Sequence, residues 1–109
     1  MNKERWRKIN EGINHIRLSN RIGSHQSCIR LNPACSDEHN LKIVQLCMEF
    51  LKTKVPFYTE AELILGGRPD IFLPITLECY EIMKSETDES IEAKRKRYPS
   101  LFSIKEIRI

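Results

Sequence analysis

Between Leu41 and Leu51 apolar residues recur at Leu41, Val44, Cys47, Met48 and Leu51, and Ile43, Leu46 and Phe50 widen the stripe. Spacing of three and four residues predicts a helix, capped by Ser36 or Asp37 and ending near Lys54. A stripe this wide predicts a buried helix. Trp6, Ile9, Ile13 and Ile16 carry the same period and predict a basic helix over residues 2–18, against the weak propensity of Gly12 and the Asn residues. Residues 19–36, with Gly23, Pro33 and many Ser and Asn, read as an irregular connector with a short strand around Ser27–Leu31. After the long helix come three β-rich runs, Pro56–Leu65, Arg68–Ile75 and Thr76–Lys84, the first two separated by Gly66-Gly67. These predict a meander. Ser85 or Thr87 caps a further helix, about Asp88–Tyr98, with acidic residues first, basic residues last and Pro99 as its stop. In Leu101–Ile109 the residues Phe102, Ile104, Glu106 and Arg108 share one face, as in a closing strand. The predicted class is α/β, with a core of order α-β-β-β-α-β.

A chain of 109 residues with 40% hydrophobic content suffices for one core and one domain. The net charge of +3 permits nucleic-acid binding without requiring it. Its distribution says more. Lys3, Arg5, Arg7, Lys8, Arg17, Arg21 and Arg30 face only Glu4 and Glu11 in the first thirty positions, and Lys94-Arg95-Lys96-Arg97 forms a second basic cluster. Residues 1–35 are thus expected to be a basic N-terminal extension, and 36–109 the core. No apolar run approaches the roughly 20 residues of a membrane span, and the charged N-terminus is unlike a secretory signal. A soluble cytoplasmic protein is expected. Cys28, Cys35, Cys47 and Cys79 are scattered, two of them inside apolar periodic segments, so reduced thiols are expected rather than a disulfide framework.

The candidate chemistry lies in Gly67-Arg68-Pro69-Asp70-Ile71 and, on the next predicted strand, Tyr80-Glu81-Ile82-Met83-Lys84-Ser85, together with Glu38-His39 and Thr59-Glu60. These motifs, inside that element order, resemble the PD-(D/E)XK nuclease superfamily over residues 36–109. More narrowly, they look like competence-associated nuclease-like proteins and small archaeal or viral resolvase-like nucleases. The resemblance implies a restriction-endonuclease-like core in which Asp70, Glu81 and an acidic residue from the first helix or strand, Glu38 or Glu60, hold Mg²⁺ or Mn²⁺. It also implies that the Ile82 carbonyl is a further oxygen donor.

Such a site has a physical rationale, because hydrolysis of a phosphodiester needs a hard cation to offset phosphate charge and lower the pKa of the attacking water. In the family, the residue two beyond the Glu is a Lys or Gln facing the metal. Here it is Met83, which can neither accept nor donate a proton. Alternation along a strand puts Lys84 on the opposite face from Glu81 unless a bulge re-aims it. Lys42 and Lys94 are alternative sources of the missing cation. Arg5, Arg7, Lys8, Lys42, Lys94 and Lys96 are the candidate DNA contacts, and cutting two strands favours a homodimer.

A rival metal reading takes His25, Cys28, Cys35 and His39 as a zinc set, although the wider spacings fit no common finger. By itself His39 reads as a surface or packing histidine. Two functions are thus expected as alternatives: a Mg²⁺-dependent DNA endonuclease, or a catalytically inactive nuclease-fold protein that binds nucleic acid or a protein partner. Met83 is the feature that favours the second.

Overall fold

A computed structural model describes residues 3–16, 26–84 and 87–109. Within them lie helices α1 (Lys3–Ile13), α2 (Asp37–Lys52) and α3 (Asp88–Arg95), and strands β1 (Tyr58–Thr59), β2 (Ile71–Leu73), β3 (Glu78–Met83) and β4 (Ser103–Arg108). The order is α-α-β-β-β-α-β. The strands form one four-stranded mixed sheet in sequence order, β1, β2 and β3 antiparallel and β4 parallel to β3 after the α3 crossover.

Local chemistry sets these boundaries. Ser36 accepts the His39 N–H at 3.2 Å at the start of α2, where Asp37 and Glu38 also suit the helix dipole. Thr87, rather than the alternative cap Ser85, which lies outside the described residues, accepts the Ser90 N–H at 3.2 Å at the start of α3. That helix ends at Arg95, short of the expected Tyr98. The strands are also shorter than their apolar runs. β1 stops where Glu60 adopts a left-handed φ of 55°, and β2 stops at Pro74, which has no N–H for a ladder.

Two clusters cover the two faces of the sheet. On one, Ile71, Leu73 and Ile82 meet Ile43 and Cys47 of α2; on the other, Phe72 and Cys79 meet Ile16, Leu63 and Phe102. The described part of the segment expected as a basic extension sends Ile9 and Ile16 into the core. Its predicted helix ends at Ile13, and Ile16 instead bridges Leu63.

Two further expectations are corrected. The helix α2 is not buried on most sides: Ile43 and Cys47 are covered, whereas Leu41 is 68% exposed and Met48 and Leu51 are each 48% exposed. It lies on one face of the sheet, so three of the eight stripe residues remain outside. Residues 27–31 form no strand, because the Thr59 hydroxyl takes over the pairing, accepting the Arg30 N–H and donating to the Cys28 carbonyl, each at 2.9 Å. No helix among the described residues is long and apolar enough to cross a membrane.

Candidate functional site

Asp70 immediately precedes β2, and its N–H donates to the Tyr80 carbonyl at 3.0 Å, which fixes it beside the Tyr80–Ile82 stretch of β3. Its carboxylate is held at both oxygens. Oδ2 accepts the Ile82 N–H at 2.8 Å, and Oδ1 lies 3.3 Å from Nε2 of His39. Both side chains are mostly covered, at 16% and 15% exposure, so the pair is well shielded from water. His39 Nδ1 is buried without a partner. With Nε2 facing the carboxylate, its hydrogen is the one donated to Asp70. His39 is therefore joined to Asp70 rather than a surface residue. Its spacing of four from buried Ile43 was the sequence signal that it faces inward.

Glu81 is buried on the sheet face opposite α2, and it accepts a hydrogen bond from the Tyr98 hydroxyl. That phenol's pKa is raised, first by burial and then by the hydrogen bond and charge of Glu81, with Cys79 and Asp70 adding to it. Tyr98 thus feels both carboxylates. Cys35 similarly has its thiol pKa raised, first by burial and then by the charges of Asp70 and Glu60. The Glu60 N–H bonded to the Asp70 carbonyl and the Asp70 N–H bonded to the Tyr80 carbonyl bring Glu60, Asp70 and Glu81 to one end of the β1–β2–β3 meander.

Most of the remaining candidate residues are engaged in pairs. Glu60 Oε2 lies 3.2 Å from Arg68 Nε, and its N–H donates to the Asp70 carbonyl at 3.3 Å. Glu38 and Lys84 are joined at 3.0 Å, linking the first turn of α2 to the end of β3. Met83, at 2% exposure, is enclosed. Arg5 donates to the Lys54 carbonyl, Arg7 and Lys8 form pairs with Glu11 and Glu4 one turn away on α1, and Lys42 donates to Gln45. Lys96 is exposed just after α3, and the Lys94 side chain lies outside the described residues.

Among the described residues no three His, Cys, Asp or Glu side chains converge as a ready ligand group. Cys28, Cys35 and His39 therefore do not assemble the zinc set, and His25 lies outside the described residues. None of the four cysteines forms a disulfide among the described residues. For a hard cation the demand is smaller, because Mg²⁺ commonly uses one or two carboxylates and keeps its waters. Asp70 and Glu81, each with an ordering hydrogen bond, fit that smaller set. Glu60 and Glu38 would have to leave Arg68 and Lys84 to join it.

Compared with known proteins, the chain has no significant match to a family model, a curated protein or a solved structure.

Proposed function

We propose that this protein is a divalent-metal-dependent DNA endonuclease with a restriction-endonuclease-like core, of the resolvase-like PD-(D/E)XK kind. The observation that carries this reading is the placing of Asp70 beside β3, hydrogen-bonded to Ile82 directly after Glu81, within the order α-β-β-β-α-β. Asp70 and Glu81 would hold Mg²⁺ or Mn²⁺. When bound, the cation supplies charge neutralisation at the phosphate and an acidified water.

The chain's own residues do the rest. Ile82 N–H and His39 orient Asp70, while Tyr98 orients Glu81. Arg68, with Glu60 beside it, offers a guanidinium to a phosphate oxygen. Lys84, held by Glu38, is the lysine that directly follows β3. Arg5, Arg7, Lys8, Lys42, Lys94 and Lys96 supply phosphate contacts along the duplex, and a homodimer would present two such centres to two strands.

A second reading, a nuclease-fold protein that binds DNA or a protein partner without cutting, is favoured by the enclosed Met83 where the family has a Lys or Gln. Cleavage of plasmid, single-stranded and branched DNA with Mg²⁺ or Mn²⁺, against the same reactions in EDTA, separates the two. Metal-dependent products support the first; binding without products supports the second.

A further inference from the structure

Ile64 and Leu65 stand at the tip of a tight turn between β1 and β2, at 53% and 60% exposure. The turn is closed by the Gly66 N–H, which donates to the Leu63 carbonyl at 3.2 Å, and its base is tied by the Leu63 N–H donating to Gly67 at 3.0 Å. Below the tip, Leu63 is buried and bridges Ile16, and the Ile64 N–H donates to the His15 carbonyl at 2.7 Å. A firmly held turn thus presents two large aliphatic side chains to solvent. Such a pair gains free energy when something covers it.

Its surroundings point to what that is. Gly67, at φ +94°, lies so close to Tyr98 that a Cβ would sit 2.3 Å from the ring, and the Tyr98 hydroxyl donates to Glu81. One glycine and one ring therefore separate the turn from the acidic centre. Two adjoining recesses, of about 230 and 360 Å³, share Gly67, Arg68 and Arg97; the first also reaches Glu81 and the second Ile64. Arg97 is exposed and has no ion pair among the described residues. Glu62 also lines the second recess and moderates its charge. An apolar tip with guanidinium groups at its base matches a polyanion whose interior is apolar stacked rings. Proteins that enter such a stack use Leu or Ile as the wedge, while cationic side chains hold the flanking phosphates.

We propose that the Ile64–Leu65 turn is a wedge that enters the base stack of duplex DNA where stacking is already broken, at a branch, nick or bulge, and so selects interrupted duplex for the acidic centre. This rests on the nuclease reading of that centre and names its substrate class.

The test uses the full chain in EDTA, so that binding is read without cutting. Probes are a fully paired duplex and a bulged duplex carrying 2-aminopurine beside the bulge. The wild type should bind the bulged duplex about tenfold more tightly and raise 2-aminopurine fluorescence on binding. The double variant Ile64→Ser/Leu65→Ser should bind both duplexes within about twofold of each other, hold its affinity for the paired one and lose the fluorescence rise. Arg97→Ala should weaken both duplexes alike. A double variant that keeps the full preference overturns the wedge and leaves the nuclease reading standing. Loss of binding to both duplexes in the double variant, with its circular dichroism melt unchanged, also overturns it, because the turn is then a general contact. Absence of wild-type binding to either duplex overturns the nuclease reading itself, and binding to phosphatidylcholine–phosphatidylglycerol vesicles instead would assign the turn to a membrane surface.

Discussion

Asp70 accepts the backbone N–H of Ile82 through Oδ2 at 2.8 Å, so a side chain takes the place of a ladder partner at the end of the β2–β3 pair. Ile82 is buried, and a hydrogen bond from a buried N–H to a carboxylate contributes about 1.5–3 kcal/mol. Asp70→Ala is therefore expected to cost about 2 kcal/mol in urea unfolding, whereas Asp70→Asn, which keeps an acceptor, should cost less than half of that. Equal losses would mean that the charge alone matters.

His39 holds the other oxygen of Asp70. Removal of such a supporting hydrogen bond typically weakens metal binding about 10- to 100-fold. His39→Ala should accordingly weaken Mn²⁺ binding by at least about tenfold in calorimetry while the chain stays folded. Unchanged affinity would reduce His39 to a packing residue.

Gly12 and Gly67 are expected to resist substitution for different reasons. In an open helix Gly→Ala stabilises by about 1 kcal/mol. At Gly12 the added Cβ would sit 1.8 Å from the Pro74 carbonyl oxygen, so the sign reverses, with a loss of about 3 kcal/mol as α1 is pushed off the sheet. Gly67→Ala meets both a positive φ and the Tyr98 ring, and should cost about 1–3 kcal/mol while displacing Tyr98 from Glu81. Thermal melts of the two variants measure both effects.

The parts of this structure that were legible in the sequence are those where local chemistry and tertiary packing agree. Ser36, Asp37 and Glu38 announce α2, and the alternation from Glu78 to Met83 announces β3, because cap, dipole and pleat act within a few residues. The burial of α2 was misread because periodicity reports which residues are apolar and not how many faces find a neighbour; Leu41, Met48 and Leu51 remain outside. The expected strand at Ser27–Leu31 failed because the Thr59 hydroxyl satisfies Cys28 and Arg30 from 31 and 29 residues away. The placing of Asp70 beside β3, next to Glu81, was legible from the two motifs. The attachments of His39 to Asp70 and Tyr98 to Glu81 were not, since each spans elements that only the fold brings together.

Burial pushes the thiols of Cys47 and Cys79 up to about 12 from the ordinary 9.0, with the charge of Glu81 adding to the effect at Cys79. A raised native pKa means that the unfolded chain ionises first as pH rises. Stability from these thiols is thus intact below pH 9 and falls between 9 and 12, by about 1.4 kcal/mol per pH unit for each. Urea midpoints at increasing pH should fall more steeply for the wild type than for Cys47→Ala. In the native state Ellman's reagent should label the partly exposed Cys28 and Cys35, and reach Cys47 and Cys79 only on unfolding. Fast labelling of all four would contradict the core described above.

The most direct test of the central claim is cleavage of end-labelled branched DNA in Mn²⁺ by the wild type, Asp70→Asn and Glu81→Gln, variants that preserve acceptors for Ile82 and Tyr98 while removing the charges a cation needs. Metal-dependent cutting by the wild type, reduced at least about 1000-fold in each folded variant, is the predicted result, in line with the share of rate that metal chemistry supplies. Cutting that survives either substitution, or wild-type protein that cuts no DNA in any divalent metal, would contradict it.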